Sequence, residues 1–223
     1  MEKLFDLSEE YDAMLNKGLK YSGEDKFFFL KNRVETLKRV LPKEKTIKKI
    51  LDFGCGIGDT SQYLLECFPE ADIYGVDTAH EAIEYARERF SKINFSTIDE
   101  FDESDFDLCY CNGVFHHILP PDRKEALAFV HSKLTTTGIF SMFENNPLNI
   151  GTRFIMSRIP FDRDAVPIYP RRAKKMFTQN NFNCIDERYL FIFPNTLKFL
   201  RFTESWFEKY PLGAQYLILA QKK

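Results

Sequence analysis

The feature that most constrains this chain is the run Ile50-Leu51-Asp52-Phe53-Gly54-Cys55-Gly56-Ile57-Gly58-Asp59. An apolar stretch of strand length ends in glycines at alternate positions, and a helical pattern begins directly after them. Glycine lets the backbone turn tightly there and lets a ligand come close to the main chain. In an open α/β sheet such a ligand sits beyond the carboxyl ends of the strands. The turn also bears on which ligand it takes. The dinucleotide fingerprint G-x-G-x-x-G, counted from Gly54, calls for glycine where this chain has Asp59. A carboxylate there would repel a pyrophosphate.

After this turn the pattern alternates. Ala71–Val76, Ile93–Thr97, Phe106–Cys111 and Ile139–Phe143 read as strands, and Thr60–Phe68, Glu81–Phe90 and Arg123–Leu134 as helices with one apolar face. Strands alternating with helices of about ten residues predict βαβ units, a mostly parallel sheet and helices on both faces. Residues 1–46 read as polar and helical, with Phe27, Leu30, Val34, Leu37 and Leu41 recurring at steps of three and four, and are expected to form an N-terminal helical lid. Residues 47–145 form the core. Residues 146–223 complete the same domain: a proline-interrupted insertion over 146–170, placed over one end of the sheet, a helix at Arg171–Asn180, and late strands at Phe182–Phe193 and Gly213–Gln221. These two strands are predicted to pair antiparallel at the sheet edge, since a loop rather than a crossover helix joins them.

With 223 residues, 44% of them hydrophobic, the chain buries enough apolar surface to fold as one domain without disulfide or metal staples. The net charge of −2 argues against nucleic acid as partner, and no basic-aromatic pattern contradicts that. The charge is unevenly spread. Residues 51–150 hold 6 Lys/Arg against 18 Asp/Glu, whereas residues 151–223 hold 13 against 6. Either these are ordinary solvated faces, or the centre builds a cation site and the ends an anion site. Cys55, Cys67, Cys109, Cys111 and Cys184 are an odd set without CxxC spacing, and acidic residues interrupt any signal-peptide core near the N-terminus. No transmembrane stretch is present in the sequence, so a cytoplasmic protein with reduced thiols is expected. Cys109 and Cys111 followed by His116 and His117 lack the ligand spacing of a zinc site, so no metal is expected.

Carboxylates mark the strand ends. Asp52 closes the first strand and can face an ammonium group. Asp77 closes the second, 23 residues after Gly54, and can accept two hydrogen bonds from ribose hydroxyls. Asp99-Glu100 follows the third strand. On these residues the chain resembles the class I S-adenosylmethionine-dependent methyltransferases. Asp52-x-Gly54-x-Gly56-x-Gly58 matches their first motif, Asp77 the ribose-binding acid, Asp99 the adenine-contacting position, Cys111-Asn112-Gly113 the segment after strand four, and Val114-Phe115-His116-His117-Ile118 the apolar-His-His stretch that often follows. The resemblance implies a Rossmann-like seven-stranded sheet whose last strand is inserted antiparallel. It also implies that Asp52, Gly54, Cys55, Gly56 and Gly58 surround the methionine part of S-adenosylmethionine. Asp77 and Thr78 would hold the ribose, Asp99 and Glu100 the adenine, and Cys111 and Asn112 would line the cofactor through main-chain groups.

The acceptor side is less specific. His116 or His117 is the candidate base, since a histidine can take a proton from an attacking hydroxyl or amine near neutral pH. Tyr11, Tyr21, Arg33, Arg153 and Arg163 are candidate acceptor ligands. Arg153, Arg158 and Arg163 offer planar donors for phosphate or carboxylate, or else pair with Asp162 and Asp164 as a structural latch. The aromatic C-terminal third reads mainly as core, with an apolar acceptor channel or contact with a membrane surface or lipid-linked substrate as the minority reading. The function expected is methyl transfer to a small-molecule acceptor, by a monomer or homodimer. A silent S-adenosylmethionine-binding sensor or partner subunit, and an NAD-dependent oxidoreductase, are the rivals.

Overall fold

Strands β1, β2 and β4 end where a glycine, a carboxylate or an amide replaces the apolar run. The computed structural model describes residues 22–159 and 165–223. Tyr11, Tyr21, Asp162, Arg163 and Asp164 lie outside the described residues. The first helix is α1 (Lys26–Val40), then β1 (Lys49–Phe53), α2 (Asp59–Cys67), β2 (Asp72–Asp77), α3 (His80–Arg89) and β3 (Asn94–Thr97). β4 (Phe106–Asn112), α4 (Arg123–Lys133) and β5 (Leu134–Asn145) follow. The remainder is α5 (Ile150–Met156), α6 (Pro170–Gln179), β6 (Phe182–Leu190), a helical stretch Asn195–Thr203 running into α7 (Glu204–Phe207), and β7 (Gln215–Lys222).

The sheet has seven strands in the order β3-β2-β1-β4-β5-β7-β6. β3, β2, β1, β4 and β5 pair parallel, and β7 runs antiparallel to both β5 and β6. The late pair is therefore antiparallel at the edge, with β7 as its inner member. Every side chain of β1 from Ile50 to Phe53 is buried, which a strand shows only when both faces of its sheet are covered. Alternate residues supply the two faces. Leu51, Phe53 and Cys109 pack in one core cluster, and Ile50, Leu108 and Ile139 in the other.

α1 belongs to the second cluster. Val34 and Leu37 are fully buried, each contributing about 1.5–3 kcal/mol of transfer free energy. The helix starts at Asp25, whose side chain accepts from the Phe28 N–H at 2.8 Å, and Lys38 and Arg39 occupy its last turn, where they oppose the helix dipole.

The sequence reading gave no type to two segments that are helical. α5 lies in the proline-flanked insertion, too short to show a period. It starts because Asn149 accepts from the Thr152 N–H at 3.0 Å. Asn195–Thr203 carries a non-helical residue, Leu197, that breaks its repeat. The strand expected to reach Phe193 stops at Leu190, since Phe191 adopts a left-handed φ of 61°.

Candidate active site

β1, β2 and β4 deliver their carboxyl ends to one edge of the sheet, and a cavity of about 720 Å³ opens there. The Gly-rich turn forms its floor. Gly54 N–H and Cys55 N–H both donate to Val76 O, at 2.8 and 3.1 Å, so the turn is stitched to β2. A Cβ on Gly54 would stand 2.2 Å from Val114 Cγ2, so no larger residue fits. Gly56 has φ 52° and nothing within 4 Å of where its Cβ would be, because that space is the cavity. Gly58 lies outside the lining and packs against Phe95.

Asp77 organises the turn. Its two oxygens accept from the backbone N–H of Gly56 (2.8 Å) and of Ala79 (3.1 Å). A carboxylate has about four acceptor sites, so two remain for a ligand's hydroxyls. Asp52 is buried beneath, where Ser61 Oγ donates to its Oδ2 at 2.6 Å. Burial pushes its pKa up from 3.8 to about 7; the Ser61 hydrogen bond opposes that, the charge of Asp77 adds to it, and Arg33 opposes it. The thiol of Cys55, also in the lining, is pushed well up by burial and by these carboxylates, so it stays protonated and unreactive. Thr78 and Asp99 line the same cavity, with Ile98 and Phe129 supplying apolar walls. Glu100 does not reach it; that side chain faces away, 4.0 Å from Arg87.

Asn112 and Gly113, at the end of β4, line the cavity, whereas the side chain of the neighbouring Cys111 is buried in the core. Among the described residues Asn112 Oδ1 is buried without a partner, an acceptor open to a donor on a ligand. Asp59 starts α2 and is held by Lys26 at 2.8 Å and Arg89 at 2.9 Å. The helix N-terminus that would cradle a pyrophosphate therefore already carries a carboxylate. Overall the lining holds six carboxylates (Asp52, Asp59, Asp77, Asp99, Asp122 and Glu125) against Lys26 and Arg33. A cationic nucleoside suits such a site better than a polyanion.

A second cavity, of about 570 Å³, adjoins the first. Lys26, Arg33, Asn112, Gly113 and His117 line both. Arg33 is a buried cation whose Nε donates to Tyr110 Oη at 3.3 Å and whose Nη1 donates to Gln215 Oε1 at 3.2 Å, both neutral partners. Burial raises the Tyr110 pKa to about 12, so this phenol stays protonated and brings no charge to Arg33. His116 also lines the second cavity. Its Nδ1 lies 2.5 Å from Glu144 Oε2, while Glu144 Oε1 accepts from the Phe115 N–H at 2.8 Å. Phe28, Phe29, Phe154, Phe191 and Phe193 give this cavity an aromatic wall. Arg153, by contrast, is exposed on α5 and lines neither cavity.

Sequence reasoning missed Lys26, Glu144 and Gln215. The signal for Glu144 was present: like Asp52, it is a carboxylate closing an apolar strand. Lys26 and Gln215 carry no such mark, because only the fold brings 26 to 59 and 215 to 33.

Residues 51–140 match the methyltransferase domain family. With that match the chain is similar to the S-adenosylmethionine-dependent methyltransferases. Trans-aconitate 2-methyltransferase from Rhodopseudomonas palustris (strain BisB5) is 26% identical to it over 147 residues, 64% of this chain and 57% of that one. The chain spans 25% and 57% of the length of the first curated relatives it matches. Among solved structures, a S-adenosylmethionine-dependent methyltransferase from Thermotoga maritima, described as a possible histamine N-methyltransferase, superposes with a TM-score of 0.72 at 16% identity, covering 100% of both chains. A plantazolicin methyltransferase, solved with a desmethyl substrate analogue and S-adenosylhomocysteine, gives 0.63 at 19% identity, covering 97% of each chain. The seven-stranded sheet with its last strand inserted antiparallel is what the resemblance implied.

Proposed function

We propose that this protein transfers the methyl group of S-adenosylmethionine to a small acceptor, with the cofactor in the 720 Å³ cavity and the acceptor in the adjoining one. The observation that carries this reading is the pairing of an acidic, glycine-floored cavity with a second, aromatic cavity through a shared wall. The residues fit the cofactor. Asp77 accepts from the ribose, Asp99 borders the base beside Ile98, and Asn112 Oδ1 and ionised Asp52 meet the ammonium group. Arg33, given above as an acceptor ligand, lies where it also serves the carboxylate of the methionine part. Cys111 acts only through its main chain, and Glu100 is the weakest member of the set.

The bound cofactor supplies an activated methyl group on a sulfonium leaving group. The chain then has to align the acceptor and exclude water. α1 acts as the lid, residues 47–145 hold the cofactor, and residues 146–223 shape the acceptor side. His117, on the shared wall, is the base candidate nearest the reacting atoms. His116 acts behind it, positioned by Glu144: with Glu144 as the carboxylate, Nδ1 carries a proton toward it and Nε2 is the acceptor. His117 would take the acceptor's proton as the acceptor becomes methylated, the bound cofactor supplying the leaving group. An acceptor with an aromatic or apolar body and a nucleophilic hydroxyl or amine suits the Phe-lined wall, and an anionic group on it suits Arg33.

Isothermal titration with S-adenosylmethionine and S-adenosylhomocysteine tests the first half. Binding of either, with none of NADH, supports the assignment, and no binding of either defeats it. Labelled-methyl transfer to a panel of acceptors tests the second half. There His117→Ala is expected to lower turnover by about 10²–10⁴-fold while S-adenosylhomocysteine affinity stays within a few fold. A protein that binds cofactor and methylates nothing would be the silent sensor.

A further inference from the structure

The stretch Asn195–Phe207 has no buried residue, although it contains Leu197, Phe199, Phe202 and Trp206. Phe199 is 68% exposed, Phe202 75% and Trp206 70%. They fall at helical spacings of three and four, so they share one face. Monomeric proteins rarely leave such a face bare without a use for it. Apolar residues of α5 and the loop before it extend the surface: Ile150 and Phe154 are exposed as well. Asn149 Nδ2 donates to Leu212 O at 2.7 Å, which ties the start of α5 to the loop that follows α7.

Among the described residues the exposed charges on this face are basic. Lys198 and Arg153 are exposed and form no ion pair among the described residues, and Arg158 stacks on the Phe154 ring at 4.8 Å. The two carboxylates of the stretch turn inward. Glu204 accepts from the Phe193 N–H at 2.8 Å, and Glu208 is buried between Arg39 and Arg188. Phe154, Phe193 and Arg201 also line the second cavity, so the face continues to its mouth.

We propose that this aromatic and basic face is a membrane-docking surface that seats the protein on an anionic lipid bilayer, with the mouth of the second cavity toward the lipid. The composition is that of an interfacial segment: Phe and Trp for the acyl boundary, Tyr210 for the headgroup level, and Lys and Arg for the lipid phosphates. Contact is peripheral, since among the described residues no helix is long and apolar enough to cross a membrane. The inference does not require the methyl-transfer reading, because the face is defined by exposure and charge alone.

Trp206 is the single tryptophan of the chain, so its emission reports this face directly. The full chain is titrated with phosphatidylcholine vesicles with and without phosphatidylglycerol. The expected result is a blue shift and co-sedimentation that depend on phosphatidylglycerol and weaken with salt. The double variant Phe199→Ser/Phe202→Ser is expected to lose more than about tenfold in vesicle affinity while its circular dichroism and S-adenosylhomocysteine binding stay unchanged. Lys198→Glu is expected to weaken binding only to the anionic vesicles. Emission unaltered by excess anionic vesicles overturns the proposal. So does emission that is already blue and quencher-protected without lipid, which would mean that a second copy or the chain's own first residues cover the face.

Discussion

Asp52 shows how one buried carboxylate ties the stability of the empty protein to its ligand. Its pKa is raised from 3.8 to about 7, chiefly by burial. A carboxyl whose folded pKa lies above its unfolded value binds its proton more tightly in the native state. Stability from this group is therefore full below the unfolded value and is lost as pH rises from about 4 to about 7, then levels off. Ligand binding runs the other way: a cationic amine needs the ionised form, so affinity rises with pH and saturates above about 7, at up to tenfold per pH unit below it. Asp52→Asn keeps an oxygen for Ser61 and removes the titration. It is expected to flatten both profiles and to weaken S-adenosylhomocysteine binding at pH 8; titration calorimetry at several pH values checks this, and an unaltered slope in the variant would move the titration to another group. Asp77 is different because it holds the loop through Gly56 and Ala79 and, in the proposed reading, the ribose as well. Asp77→Asn is expected to lose at least about tenfold in affinity, near 1.4 kcal/mol, with a smaller change in melting temperature than Asp77→Ala, which frees both backbone N–H groups.

At the scale of elements, α1 is pinned to the Gly-rich turn by Lys26 and Asp59 (2.8 Å), while Arg201 holds Glu24 just ahead of it (2.8 Å). These largely shielded pairs offset their Coulombic gain with desolvation, so their net contribution to global stability is small. They set instead how readily α1 lifts from two cavities that both include Lys26. Lys26→Met is expected to speed S-adenosylhomocysteine release several-fold in stopped-flow displacement while melting moves by less than about 4 °C; Asp59 keeps Arg89 as partner. Unchanged release would mean that α1 does not gate the site. How far elements could be read from sequence follows the same lines. β1, α2, β2, α3 and β4 were legible because each is bounded by a glycine, a cap or a charge and follows one clear period. α5 was not, since seven residues between prolines show no period and its start depends on the Asn149 cap. Of the first cavity's carboxylates, Asp52, Asp77 and Asp99 could be read because they stand at or just after strand ends, whereas Asp122 and Glu125 belong to the start of α4 and could not. The Arg33–Tyr110–Gln215 contacts could not, since they join residues 77 and 182 positions apart.

For the whole molecule, the acidic middle and basic ends of the sequence become neighbouring compartments. The centre surrounds the first cavity with carboxylates, and the ends send Lys26 and Arg33 to its border and Arg201 to the second. Occupying the first cavity should therefore stabilise the entire domain, because β1, β2, β4 and α1 all contribute to it and a two-state fold cannot lose one of them alone. Linkage gives the size: a ligand present at 100 times its dissociation constant adds about 2.7 kcal/mol. For a chain of this length that corresponds to a rise in melting temperature of roughly 5–11 °C. S-adenosylhomocysteine is expected to produce that rise and NADH none, since Asp59 and its neighbours repel a pyrophosphate. The rise should shrink in Asp77→Asn in proportion to the logarithm of its lost affinity, which links the melting measurement to the calorimetric one. A rise with NADH, or an equal rise in the variant, would show that the stabilising ligand binds away from the Gly-rich turn.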